Sequence, residues 1–274
     1  MKILLTGSPK SGKTTLLMTL TADIHPKHGM VAKEVLEGGV RVGFDLLDEF
    51  GRMATLSRID KSTAYPVGRY FVDVNSLNSY IDHLLPVVPG QLLYIDEIGQ
   101  MQLYAERFET LVSTYLGSNN DYVGTITAVF DHPFVSEVKR RSDVLLCTVT
   151  PGNRQELKVV LSAALANRDI FNNLPAGQQL TLLELARKYL QADHYISLKK
   201  LFHNALKYIS EHKASRTGDN TFSVQGDHDS YQVNKVGQNY QCDCDFFNGR
   251  KQFKDRPGEC SHIQVVKILF DVVE

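Results

Sequence analysis

No apolar run in this 274-residue chain approaches the roughly 18 residues of a membrane-spanning helix, so no segment reads as a membrane span. Net charge is almost absent: 30 Lys and Arg stand against 31 Asp and Glu, a balance of −1. The molecule as a whole therefore carries no electrostatic footprint for nucleic acid, and any such surface has to be local. Met1 to Thr6 is too short for the apolar core of a signal peptide, so the expected location is cytoplasmic. Cysteine is scarce, with four residues, and in that compartment they argue for metal or thiol chemistry rather than disulfides. What is present is the composition of a folded globular chain, 43% hydrophobic and 22% charged. The length suits one large domain or two.

The most informative stretch is GSPKSGKTT, Gly7 to Thr15. It follows the apolar run Ile3-Leu4-Leu5 and precedes Leu16-Leu17-Met18, which reads as strand, loop, helix. It satisfies G-x-x-x-x-G-K-[ST] in full. Gly7 and Gly12 let the backbone curl around Ser8, Pro9, Lys10 and Ser11, so that successive N–H groups point inward. With the amides of Lys13, Thr14 and Thr15 at the helix start they form a nest for phosphate oxygens. Lys13 reaches the β and γ phosphates, and the Thr14 hydroxyl is a ligand for Mg²⁺. The chain is thus expected to bind a nucleoside triphosphate such as ATP or GTP.

A helix over about Lys13–Ile24 ends near Pro26, and Gly39–Arg58 reads as an antiparallel hairpin turning at Asp48–Arg52. Tyr65–Val74 is extended and Asn75–Leu85 helical. Leu92-Leu93-Tyr94-Ile95 is the continuous apolar run of a strand buried on both faces, ending in Asp96-Glu97. An acid at that position serves the Mg²⁺ shell, and a glutamate after it orients or deprotonates the attacking water. Helices over Met101–Leu116, Phe134–Arg141 and Gln155–Leu165, the last capped by Asn153, alternate with strands Tyr122–Val129 and Val144–Val149. The alternation predicts an α/β three-layer sandwich on a mostly parallel sheet, with ligands at the carboxyl ends of the strands.

Gly7–Thr15, GGVRVGFDLLDEFG, VGRYFVD, IDEIGQMQL and KRRSDV…TPGNRQEL occur in one order that resembles a small nucleoside-triphosphatase family, typified by a thermophile enzyme and a human cancer-related one. The resemblance covers about residues 1–166. It implies hydrolysis of ATP, GTP and other triphosphates with Mg²⁺, Lys13 and Thr14 serving phosphates and metal, Asp96 the metal and Glu97 the water. Arg140 or Arg141 falls where a helper arginine would lie, or the pair is a charge cluster complementing a helix C-terminus. Lys10 departs from the family, which often has glycine there. Two other readings remain: a nucleotide or polynucleotide kinase, and a nucleotide-switched adaptor that binds nucleic acid.

Over a hundred residues follow. Residues 167–195 are expected to be linker and helix, with Asn167–Gln178 the polar linker and a helix from Leu180 to Gln191. The remainder, 196–274, begins with helix Ile196–Glu211 and the turn-like Lys213–Asn220, followed by short strands Thr221–Val224, Tyr231–Val236 and Asn239–Cys242. Cys242 and Cys244, then Cys260 and His262, are close pairs separated by a polar loop. Three thiolates and an imidazole fill a tetrahedral Zn²⁺ site with no open position, hence a structural one. C-x-C…C-x-H ahead of an apolar helix resembles the SWIM zinc finger, which implies a DNA- or protein-binding module. Arg250, Lys251, Lys254 and Arg256, interleaved with Phe246, Phe247 and Phe253, suit DNA or RNA, diluted by Asp243, Asp245, Asp255 and Glu259. Cys147, in an apolar strand, reads as a core residue.

Overall fold

The computed structural model describes residues 1–251 and 259–271. The chain divides into two compact units, Met1–Arg154 and Gln155–Glu274. In the first, strand β1 (Lys2–Thr6) leads through the glycine loop into helix α1 (Lys13–Thr21). Strands β2 (Lys27–Glu37), β3 (Val40–Leu47), β4 (Met53–Arg58), β5 (Pro66–Val67) and β6 (Tyr70–Val72) follow, then α2 (Val74–Leu84) and β7 (Leu92–Ile98). A 3₁₀ turn, Gln102–Tyr104, precedes α3 (Glu106–Gly117), β8 (Tyr122–Ile126), α4 (Pro133–Arg140) and β9 (Val144–Thr148). Helix α5 (Arg154–Ala166) starts at the division.

These strands form one nine-stranded sheet in the order β5-β6-β4-β3-β2-β7-β8-β1-β9. The five strands β2, β7, β8, β1 and β9 are parallel, and the others add an antiparallel wing. Strands β1 and β8 are mainly apolar, as expected of strands covered on both faces; every residue of β8 is buried, Thr125 included. The fold is the α/β phosphate-loop sandwich expected. Strand β8 lies between β1 and β7, which decides how the site is assembled. Helix α1 packs on all three of these strands.

Three local expectations change. Strand β7 does not end at the acids but runs on to Ile98, whose fully buried side chain continues the pairing with Ile126. The Asp96–Glu97 peptide bond is cis. Strand β2 begins at Lys27, ahead of the expected hairpin; it pairs with β7 at its start and β3 beyond, so no single periodicity marks it. The helix expected over Met101–Leu116 is broken at Ala105, which is extended.

In the second unit, Asn167–Gln178 is not an irregular linker. It holds α6 (Arg168–Asn172) and the start of α7 (Ala176–Gln191), because Phe171 and Leu174, three residues apart, are buried on one face of an otherwise polar segment. Helix α8 (Tyr195–Lys200) continues through a π-helical turn, Leu201–Ala205, into α9 (Leu206–Ser210). Strands β10 (Ala214–Arg216), β11 (Thr221–Gln225), β12 (Ser230–Val236) and β13 (Asn239–Cys242) form an antiparallel meander, β10 arising within the segment read as a turn. Helices α10 (Asp245–Lys251) and α11 (Ser261–Phe270) complete the unit. Seven of the ten residues of α11 are buried, and it packs against α7, the π turn, α9 and strands β11 to β13. Among the described residues no helix is long and apolar enough to cross a membrane.

Candidate active site and metal centre

The loop from Gly7 to Gly12 has the conformation its glycines permit. Gly7 sits at φ 145° and Gly12 at φ 96°, and a Cβ on Gly7 would lie 2.3 Å from the Val149 carbonyl oxygen. Lys10 also takes a left-handed conformation, φ 65°, at the position where the resembling family often has glycine. Lys13 is buried, and its ammonium donates to the Gly7 carbonyl at 3.0 Å and the Ser8 carbonyl at 3.4 Å. Two buried hydroxyls, Thr6 Oγ1 and Ser11 Oγ, have no hydrogen-bond partner among the described residues. Burying such a group unpaired costs about 1–3 kcal/mol, which a phosphate at the loop would offset.

Asp96 is held from two sides. The Thr14 hydroxyl, at the start of α1, donates to Asp96 Oδ2 at 2.8 Å, and Thr125, on β8, donates to Oδ1 at 2.5 Å. Because β8 lies between the loop strand and the acid strand, Thr125 ties them at one point. Burial pushes the Asp96 carboxyl above the ordinary aspartate range, against the pull of Thr125, Thr14 and Lys13. Burial also raises Glu97, with Lys13 opposing, Asp96 reinforcing and Lys139 opposing. The oxygens of Thr14 and Asp96 are the hard donors Mg²⁺ prefers.

Arg140 and Arg141 make contacts within their own neighbourhood. Arg140 is exposed and donates to the Ser136 carbonyl at 3.1 Å. Arg141 is engaged by Asp143 at 2.8 Å and the Leu116 carbonyl at 3.1 Å. The neighbouring Lys139 instead acts electrostatically on Glu97, and its own ammonium is lowered by burial, with Glu97 opposing. Arg154 lies against the loop: a Cβ on Gly12 would come within 2.6 Å of its Nη1. Neither Lys139, Arg154 nor Thr125 was assigned a role from the sequence, since each joins the site only through strand order or a distant turn.

In the second unit Cys242, Cys244, Cys260 and His262 are all buried, and their donor atoms lie within 4.8 Å of one another. Cys242 Sγ is 3.7 Å from His262 Nδ1. A tetrahedral Zn²⁺ with bonds of about 2.3 Å to sulfur and about 2.0 Å to nitrogen requires edges of about 3.5–3.8 Å, so these donors fit that ion in type and the Cys242–His262 pair fits it in spacing. The His262 ring is stacked between Tyr231 at 4.3 Å and Tyr208 at 5.8 Å, which fixes its orientation. Glu259 anchors the entry to α11, accepting from Lys267 at 2.5 Å and Tyr189 at 2.9 Å. Cys147 is buried and free, as expected of a core residue. Of the basic loop, Phe253, Lys254, Asp255 and Arg256 lie outside the described residues, as do the side chains of Arg250 and Lys251. Phe246 lies under the Lys200 ammonium, 3.0 Å from the ring centre.

A glycine loop between a buried strand and a helix, its lysine and threonine converging on a strand acid, defines a phosphate-loop nucleoside-triphosphate-binding protein. The model of the NTPase family matches residues 2–161, and the chain belongs to that family, which makes it a nucleoside-triphosphatase. It is 36% identical to nucleoside-triphosphatase THEP1 of Thermotoga sp. (strain RQ2) over 171 residues, 61% of this chain and 98% of that protein. It is 35% identical to the cancer-related nucleoside-triphosphatase of Homo sapiens over 176 residues, 57% of this chain and 91% of that protein. Among solved structures, THEP1 from Aquifex aeolicus matches with a TM-score of 0.53 and 29% identity, covering 58% of this chain and 95% of that one.

Proposed function

We propose that the chain converts nucleoside triphosphates, ATP and GTP among them, to the diphosphate and phosphate in a Mg²⁺-dependent reaction. Residues 1–166 form the hydrolytic domain, and 196–274 form a SWIM-type zinc module, joined by 167–195. The observation that carries this reading is the bond chain Thr14–Asp96–Thr125, which joins the loop helix to the acid strand with Glu97 beside it. Thr14 and Asp96 would hold Mg²⁺, which when bound offsets charge on the phosphate oxygens. Lys13 and the loop amides bind the polyphosphate and neutralise charge that develops on it. Glu97 orients a water in line with the γ-phosphorus and takes its proton as the bond to the bridging oxygen breaks. Lys139 stabilises the Glu97 carboxylate.

In the second unit Cys242, Cys244, Cys260 and His262 would hold Zn²⁺, which supplies cross-linking rather than reactivity, since four protein donors leave no open position. The module is read as a binding element for DNA, RNA or protein. Phosphate release is measured with Mg²⁺ or EDTA, and with or without single- and double-stranded DNA and RNA. Release that needs Mg²⁺ and is altered by one nucleic acid is the expected result. Release that persists in EDTA removes Mg²⁺ from the reaction, and indifference to every nucleic acid leaves the protein partner.

A further inference from the structure

The first unit contains a cleft that hydrolysis does not require. It has a volume of about 690 Å³ and is lined by Thr14, Asp96 and Glu97 together with Val31, Phe44, Leu47, Leu56, Val67 and Met101. A water molecule occupies about 30 Å³, whereas small-molecule sites span roughly 300–1,000 Å³. Nor is the cleft where the nucleoside would lie. The loop amides cradle the α and β phosphates, while the threonine and strand acid mark the β,γ end. The cleft shares Thr14, Asp96 and Glu97 with that β,γ end, and of the loop Gly7–Thr15 only Thr14 lines it. Its walls come from β2, from β3, β4 and β5 of the antiparallel wing, and from the segment after β7. The wing therefore gives the cleft an apolar wall beside Thr14, Asp96 and Glu97, with Gln100, Gln102 and Thr127 adding polar lining.

We infer that this cleft binds a second substrate, an alcohol with an apolar body, whose hydroxyl replaces water as the phosphoryl acceptor. The inference rests on the triphosphatase reading of the loop and acids. The alcohol oxygen forms a bond to the γ-phosphorus, and the bond from that phosphorus to the β,γ-bridging oxygen breaks. Its electron pair leaves on the nucleoside diphosphate, and the hydroxyl proton passes to the Glu97 carboxylate and then to solvent. Water fills the same role when no alcohol is bound, so hydrolysis is the reaction seen without an acceptor. Lys33 and Glu34, which also line the cleft, give the body's outer end a polar rim.

The test uses the full chain, Mg²⁺ and ATP labelled in the γ-phosphate, with cinnamyl alcohol or glycerol at equal concentration. Cinnamyl phosphate should form in about hundredfold excess over glycerol phosphate, the discrimination that burial of an apolar body of this size gives. Ala32 also lines the cleft, and Ala32→Trp should cut transfer by about tenfold or more while phosphate release to water persists. If Ala32→Trp loses both reactions, Met18→Trp decides, since Met18 lines the cleft from a half-exposed position. Phosphate release without cinnamyl phosphate overturns the acceptor cleft and leaves the triphosphatase standing. Equal labelling of both alcohols, or transfer unchanged when the cleft is filled, overturns it as well. Absence of both reactions in the natural chain brings down the triphosphatase reading and this inference together.

Discussion

Burial raises the Glu97 carboxyl above the ordinary glutamate range, only partly opposed by Lys13 and Lys139. Two outcomes follow from that sign. A base that must be ionised to work loses activity as pH falls through its raised value, so the acid limb of the hydrolysis profile lies above the ordinary glutamate value of about 4.3. In the ligand-free protein the folded state binds the extra proton, so this group's contribution to stability is lost as pH rises from the unfolded to the folded value. Glu97→Gln should therefore bind ATP, lose about 10²–10⁴-fold in turnover, and melt above the natural protein at neutral pH. The melting difference should close as pH falls below the unfolded value, since Gln then replaces a neutral carboxyl. Undiminished turnover in this variant would remove Glu97 from the mechanism. Lys10 gives a second test: with φ at 65°, Lys10→Gly relieves left-handed strain and should raise unfolding free energy by up to about 1 kcal/mol in urea titration.

Strand β8 acts on the chemistry although none of its own residues need touch phosphate. Thr125 is fully buried and its hydroxyl fixes one oxygen of Asp96. Thr125→Val keeps the side-chain shape and removes that bond. The Mg²⁺ concentration for half-maximal hydrolysis should rise about 10–100-fold, the usual cost of losing an outer partner of a metal ligand. A Mg²⁺ titration of phosphate release reads it directly, and an unchanged midpoint would show that Thr14 suffices to orient Asp96. Helix α11 depends on its first turn in a similar way. Glu259 there accepts from Lys267 and Tyr189, next to Cys260. Glu259→Ala should lower zinc retention by about 10–100-fold in competition with a chromogenic chelator.

At the scale of the molecule, both units have buried apolar residues, and the proposed zinc site would add a further source of stability to the second. The first has a large apolar core running through Leu4, Met30, Leu93, Ile95, Phe108 and Tyr122, all fully buried. The second gathers three buried thiols and an imidazole into one cluster. Structural zinc in such sites contributes on the order of 10–16 kcal/mol. A strong chelator should therefore cost the second unit's share of helical circular dichroism while Mg²⁺-dependent phosphate release persists once Mg²⁺ is restored in excess. Simultaneous loss of both signals would show that the first unit cannot stand without the metal.

The loop, the acid pair and the Cys/His pairs were legible in the sequence because each is local. A phosphate nest needs glycines at fixed short spacing, a buried parallel strand is an unbroken apolar run, and metal ligands come in close pairs. Those features determined the α/β class, the loop Gly7–Thr15, the acids Asp96 and Glu97, and the four Cys and His residues that cluster in the second unit. Only tertiary structure decided that β8 lies between β1 and β7 and so brings Thr125 to Asp96. It alone brought Lys139 to where its charge acts on Glu97 and laid Arg154 on Gly12. The reason is physical: strand order and helix approach are settled by pairing between segments tens of residues apart, and no short window of sequence records which partner each one meets.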